Sequence, residues 1–193
     1  MPRTEAANQR LRDEQRTRIL EAARTVFARR GLAGTMAEVA GAAGVSQGLA
    51  YRYFASKDEL FRALVAEALR SDETAVQPPG SPGELLERLI SRLLEARHQN
   101  PALLQLMYHV LSDPDTPRDL LEMGAKRRES LARGLRRLIV EGQATGEVAK
   151  DDPDQLVAAI LALLDGLTRL VIASSGTEPA IPNAQIVMRM LRP

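Results

Sequence analysis

The 193-residue chain has no cysteine and no tryptophan, and only three Tyr and three Phe. Without Cys it can form no disulfide, thiolate metal site or thiol nucleophile, which fits a reducing compartment. Its two histidines, His98 and His109, are eleven residues apart, a spacing that does not place two metal ligands on one helix face, so no metal site is expected. No glycine-rich phosphate loop follows a strand pattern, and the scattered carboxylates mostly mark helix starts. An enzyme is therefore not expected, nor a cofactor. The first twenty residues are polar, so no secretory signal is read and the expected location is the cytoplasm. The most apolar segment, residues 156–173, is interrupted by Asp165 and Arg169, each costly at a bilayer centre. It reads as a buried or interfacial helix, with no membrane partner.

What the chain does have is helical punctuation. Apolar residues recur at three and four rather than two, so the fold class is all-α. Thr35-Met-Ala-Glu38, Ser56-Lys-Asp-Glu59 and Ser81-Pro-Gly-Glu84 match the capping box, in which a hydroxyl and a carboxylate satisfy orphan N–H groups reciprocally. Asn100-Pro101, Thr116-Pro117 and Asp152-Pro153 each set a capping side chain before a proline at the first helical position. A long helix is predicted over residues 12–30, short ones over 35–43 and 46–53, and a fourth from Lys57 to about residue 76. The turn-rich QPPGSPG at 77–83 then marks a boundary between domains 1–77 and 78–193. Residues 1–70 hold 12 Lys+Arg against 8 Asp+Glu, and the remainder 14 against 17. A basic first third suits a polyanionic partner, although a solvated basic helix face gives the same count.

Half of the aromatics stand in one stretch, Tyr51-Arg-Tyr-Phe54. Helices of two turns are unstable alone, so those at 35–43 and 46–53 require bracing by their long neighbours. Gly44 falls where the chain leaves the first short helix through a left-handed residue, and Ser46 caps the next. Val39, Ala40, Val45 and Ala50 let the two helices cross closely. The second helix then presents Gln47, Gly48, Tyr51 and Arg52 outward: Gln pairs bidentately with adenine, Gly admits a close backbone, and Arg reads guanine or holds phosphate. Phe54 reads as the apolar plug of this helix-turn-helix, whereas Tyr51 and Tyr53 read as DNA contacts or as core rings.

Over nearly fifty residues, RILEAARTVFARRGLAGTMAEVAGAAGVSQGLAYRYFASKDELFRALV resembles the DNA-binding region of TetR-family transcriptional regulators, through A-G-V-S-x-G, Y-x-Y-F and S-K-x-E-L. The resemblance implies a homodimer on a pseudo-palindromic double-stranded operator, with an N-terminal three-helix helix-turn-helix domain and a C-terminal helical bundle that binds a small-molecule inducer. It places DNA contacts at Thr35, Ser46, Gln47, Gly48, Tyr51, Arg52, Tyr53 and Lys57. Leu49-Ala50 departs from relatives that carry a polar residue there, so base readout rests on fewer side chains. Arg3, Arg10, Arg12, Arg16 and Arg18 read either as a phosphate-tracking arm or as a solvated tail.

In the second domain Ala158, Ala162 and Gly166 are four apart, a small-residue stripe that admits another helix. Packing within one subunit would explain it equally; the family resemblance favours a dimer interface with Leu170, and Leu163 and Leu167 nearby. Asp165 and Arg169 are spaced for an i to i+4 pair. Leu104, Met107, Tyr108, Leu111 and Met123 are the candidate inducer contacts, suited to a flexible aliphatic ligand, although such a stripe is also ordinary core. The expected function is a ligand-responsive regulator, a repressor; the alternative is a dimeric helical adaptor that binds proteins without reading DNA.

Overall fold

The computed structural model describes residues 5–70, 79–99, 101–112, 116–174 and 179–193. Among these there are nine α-helices and no strand: α1 (Glu5–Arg30), α2 (Met36–Ala43), α3 (Gln47–Tyr53), α4 (Lys57–Arg70), α5 (Pro82–Gln99), α6 (Pro101–Ser112), α7 (Arg118–Ala144), α8 (Pro153–Ala173) and α9 (Ala184–Leu191). A 3-10 turn, Gly31–Ala33, follows α1. The helices fall into two compact units, Met1–Glu73 with Gln105–Met123, and Thr74–Leu104 with Gly124–Pro193. Thus 105–123 belongs with the first unit, whereas a single cut at 77/78 assigns it to the second. Leu106 and Leu120 are buried there, and Arg62 of α4 meets Asp119 of α7 at 2.5 Å. Which later segment groups with α4 is a three-dimensional property that punctuation along the chain does not carry.

Helix ends follow their caps. Ser81 and Glu84 exchange both capping-box bonds, at 3.1 and 3.3 Å, and Asp152 accepts from the N–H groups of Asp154 and Gln155. Ser56 accepts from Glu59 N–H at 3.0 Å, while the Glu59 carboxylate takes the N–H of Ala55. Thr116 departs from expectation. Its hydroxyl is buried without a partner, and the first α7 bonds close on the Pro117 carbonyl one residue later. Asn100 and the predicted extension of α4 past residue 70 lie outside the described residues.

In the first unit, Ile19, Ala23 and Phe27 of α1, Val39 and Ala40 of α2, Ala50 of α3, and Leu60, Phe61, Leu64 and Val65 of α4 are buried. The rings of Phe27 and Phe61 pack edge to face at 5.4 Å. That geometry suits aromatic quadrupoles. In the second unit, Leu86, Ile90 and Leu94 of α5 join Leu135, Leu138 and Ile139 of α7, Val157, Ile160, Leu164 and Leu167 of α8, and Val187, Met188 and Leu191 of α9. Asn183 caps α9 by accepting from Ile186 N–H at 3.0 Å.

By length and composition α8 is apolar enough to cross a membrane, with a mean hydropathy of 2.1 over its window, yet only 22% of that window is buried within the subunit. Its outer face is the predicted stripe: Ala158, Ala162, Gly166 and Leu170 are all exposed, Leu170 at 55%, and nothing lies within 4 Å of where a Gly166 Cβ would stand. Leu167 is instead core, and Asp165 pairs with Arg128 of α7 rather than with Arg169. A partner on another helix outcompetes the i to i+4 neighbour because Arg128 engages both carboxylate oxygens, at 3.1 and 2.9 Å.

Candidate nucleic-acid interface

The helix-turn-helix begins at Thr35. Its hydroxyl accepts from Glu38 N–H at 3.2 Å, and its own N–H and hydroxyl both donate to the Glu38 carboxylate at 2.9 Å. Those bonds, the backbone one foremost, hold the Glu38 carboxyl below its ordinary pKa, with Arg30 adding charge. The stability so gained is present above the unfolded pKa and is lost as pH falls through the lowered folded one. Both donors of Thr35 are thereby engaged at the start of α2.

Gly44 ends α2 in the left-handed region, at φ 63° and ψ 37°, where a Cβ would crowd the backbone. Val45 N–H returns to Ala40 O at 3.0 Å, closing the helix end. Ser46 then starts α3 by accepting from Leu49 N–H at 3.2 Å, which leaves its hydroxyl hydrogen available. Phe54 ends α3 at 1% exposure, the plug that was expected.

On α3, Gln47, Gly48, Tyr51 and Arg52 are exposed, Tyr51 at 45%, while Tyr53, and Lys57 at the start of α4, are half-buried. No atom lies within 4 Å of a Cβ built on Gly48, so packing inside the chain does not require glycine at this position. Ala50, facing the other way, is fully buried, so the Leu49-Ala50 departure serves helix packing on at least that side.

Two of the arginines read from sequence as either an arm or a solvated tail bond within the domain. Arg10, Arg12, Arg16 and Arg18 lie within α1, which is helical from Glu5; Arg3 is outside the described residues. Arg18 Nη2 donates to the Ala43 carbonyl at 2.9 Å, satisfying a C-terminal orphan of α2, and the Arg16 guanidinium sits 5.2 Å from the Phe54 ring centroid. Arg18→Met is expected to lower stability by about 1–2 kcal/mol. The slope of log affinity against log salt should stay unchanged, since loss of a phosphate contact would reduce it by about 0.9. Both quantities follow from urea unfolding and a salt titration of DNA binding. Sequence could not show this use, because it depends on α1 lying across the α2 end.

Residues 19–64 match the family model of bacterial regulatory proteins, tetR family, and residues 82–192, more than half of the chain, match that of the BetI-type transcriptional repressor C-terminal domain. The chain belongs to the TetR family. It is similar to the HTH-type transcriptional regulator TtgR of Pseudomonas putida, 30% identical over 81% of this chain and 79% of that one. Against the HTH-type transcriptional regulator BetI of Rhizobium meliloti it is 32% identical over 79% and 75%. Among solved structures, a TetR/AcrR-family regulator from Thermobifida fusca superposes with a TM-score of 0.62 at 26% identity, covering 92% of this chain and 93% of that one. TetR-family proteins are DNA-binding regulators rather than enzymes; they act as dimers and bind ligands in their C-terminal domains.

The candidate inducer contacts are not gathered within one unit. Leu104 belongs to the second, Met107, Tyr108, Leu111 and Met123 to the first; Met107 and Met123 are half-buried, Tyr108 is exposed, and the Leu111 side chain is outside the described residues. A depression of about 280 Å³ on the second unit is lined instead by Glu87, Gln185, Arg189 and Arg192. Among the described residues no group of three or more His, Asp or Glu could hold a metal.

Proposed function

We propose that this TetR-family protein is a cytoplasmic, ligand-responsive repressor that binds a pseudo-palindromic operator as a homodimer and is released by a small, mainly apolar inducer. The observation that carries the reading is the capped α2–Gly44–α3 turn with Gln47, Gly48, Tyr51 and Arg52 on its open face. Gln47 and Arg52 have the donor patterns that base edges require, and Gly48 lets the backbone approach. Ser46, Tyr51, Tyr53 and Lys57 would hold phosphates and fix the register of α3. The dimer would form across Ala158, Ala162, Gly166 and Leu170, extended by Ile186 and Met190 of α9, which are 49% and 72% exposed. This apolar face on a helix of such hydropathy is what a second copy would cover.

Inducer binding and operator binding are reciprocal, so each weakens the other by the same factor. The reading is tested by selecting bound sequences from a random duplex pool with the purified full chain. A pseudo-palindrome with half-sites about one helical turn apart, or a multiple of that, is expected. No shared motif from a folded dimer would reject it.

A further inference from the structure

Arg97, near the end of α5, is half-buried in the second unit, and all its partners are neutral. Its Nε donates to the Leu164 carbonyl at 3.1 Å and to Thr168 Oγ1 at 3.2 Å, and its Nη1 to the Leu93 carbonyl at 2.6 Å. The Leu164 carbonyl also accepts the Thr168 hydroxyl at 2.9 Å. These bonds set the guanidinium against α8 and α5, while Nη2 has no acceptor among the described residues.

The local charge does not balance. Asp165, the carboxylate whose field acts on Arg97, has both oxygens engaged by Arg128. Two guanidinium groups thus share one carboxylate. Burial pushes the Arg97 pKa down, with Asp165 pulling it back in part, so the cation is held at a cost. An unpaired, partly desolvated cation is unfavourable unless an anion completes it. Were Arg97 merely a staple between α5 and α8, a neutral donor could serve the same three acceptors without that charge. Leu93 stands one turn before Arg97 on α5 and Leu161 one turn before Leu164 on α8; both, with Leu131 of α7, are half-buried against the core.

We propose that the free Nη2 edge of Arg97 binds the anionic head group of a small amphipathic carboxylate whose apolar body lies along Leu93, Leu131 and Leu161. This deepens the ligand-responsive reading and rests on it: the inducer would be an organic acid with an aliphatic body, not a neutral or cationic amphiphile. A planar fork of N–H donors matches carboxylate geometry, and the half-buried setting strengthens the contact over its worth in water.

The test is calorimetric titration of the full chain with octanoate, 1-octanol and octylammonium, which share one apolar body and differ in head-group charge. Octanoate is expected to bind at least tenfold more tightly than octanol, and octylammonium most weakly. Arg97→Met should abolish the difference between octanoate and octanol, and Arg97→Lys should restore part of it. Equal binding of octanoate and octanol by the wild-type chain overturns the proposal, as does silence towards all three. Persistence of the carboxylate preference in a helical Arg97→Met protein overturns it too. The wild-type comparison stands alone should that variant fail to fold. Operator selection fails or succeeds independently of these titrations, so loss of this site and loss of the regulator reading remain distinguishable.

Discussion

Phe54→Ala is expected to lower the free energy of unfolding by about 3–5 kcal/mol, measured by urea denaturation. The ring is 1% exposed, seals the end of α3 and receives the Arg16 cation on its face, so truncation leaves a cavity and removes a contact worth about 0.5–1 kcal/mol. Against a typical total of about 5–15 kcal/mol, that loss depopulates the folded reading head. Operator affinity should fall with it, whereas Phe54→Leu should cost less than about 2 kcal/mol. A change below about 1 kcal/mol for the alanine variant would show that α3 is held by its caps and not by this ring.

Ala162→Glu is expected to act on assembly rather than on folding. Within one subunit Ala162 is exposed, so the glutamate remains solvated there and the helical signal should persist. In the proposed dimer each copy would bury a charge without a partner, at a cost of about 3–5 kcal/mol for each and so about 6–10 kcal/mol for the pair, equivalent to about ten-thousandfold or more in association. Sedimentation should show monomer at micromolar concentration, and operator affinity should drop with the lost second half-site. A dimer of unchanged strength would place the interface elsewhere and leave the apolar face of α8 without a covering.

Residues that act within four positions of themselves were legible in the sequence. Thr35, Ser46, Ser81 and Asp152 cap the helices they precede because an N-cap needs only its own next turn. Gly44 was legible for the same reason, since its positive φ is a local requirement. Thr116 misled because its neighbour Pro117 supplied the first carbonyl, leaving the hydroxyl buried one residue too early.

Choices between partners were not legible. Asp165 has Arg169 within reach along α8 and Arg128 on α7, and only the fold brings the second within 2.9 Å. Arg16 and Arg18 read as an arm or a solvated tail because charge counts carry no direction; from α1 they meet Phe54 and the Ala43 carbonyl. The exposed stripe of α8 was legible as a pattern of small residues. Its exposure within the subunit, as opposed to burial against a neighbouring helix, depends on contacts that no spacing encodes.

In the proposed repressor α3 reads bases through its exposed side chains. The direct measurement is to repeat selection from a random duplex pool with Gln47→Ala and compare the motif with that of the wild-type chain. The predicted result is a pseudo-palindrome degenerate at one symmetry-related pair of positions and unchanged elsewhere, each lost pair costing about 1–3 kcal/mol of discrimination. An identical motif from both proteins would contradict base readout by Gln47 and would mean that α3 lies otherwise in the groove.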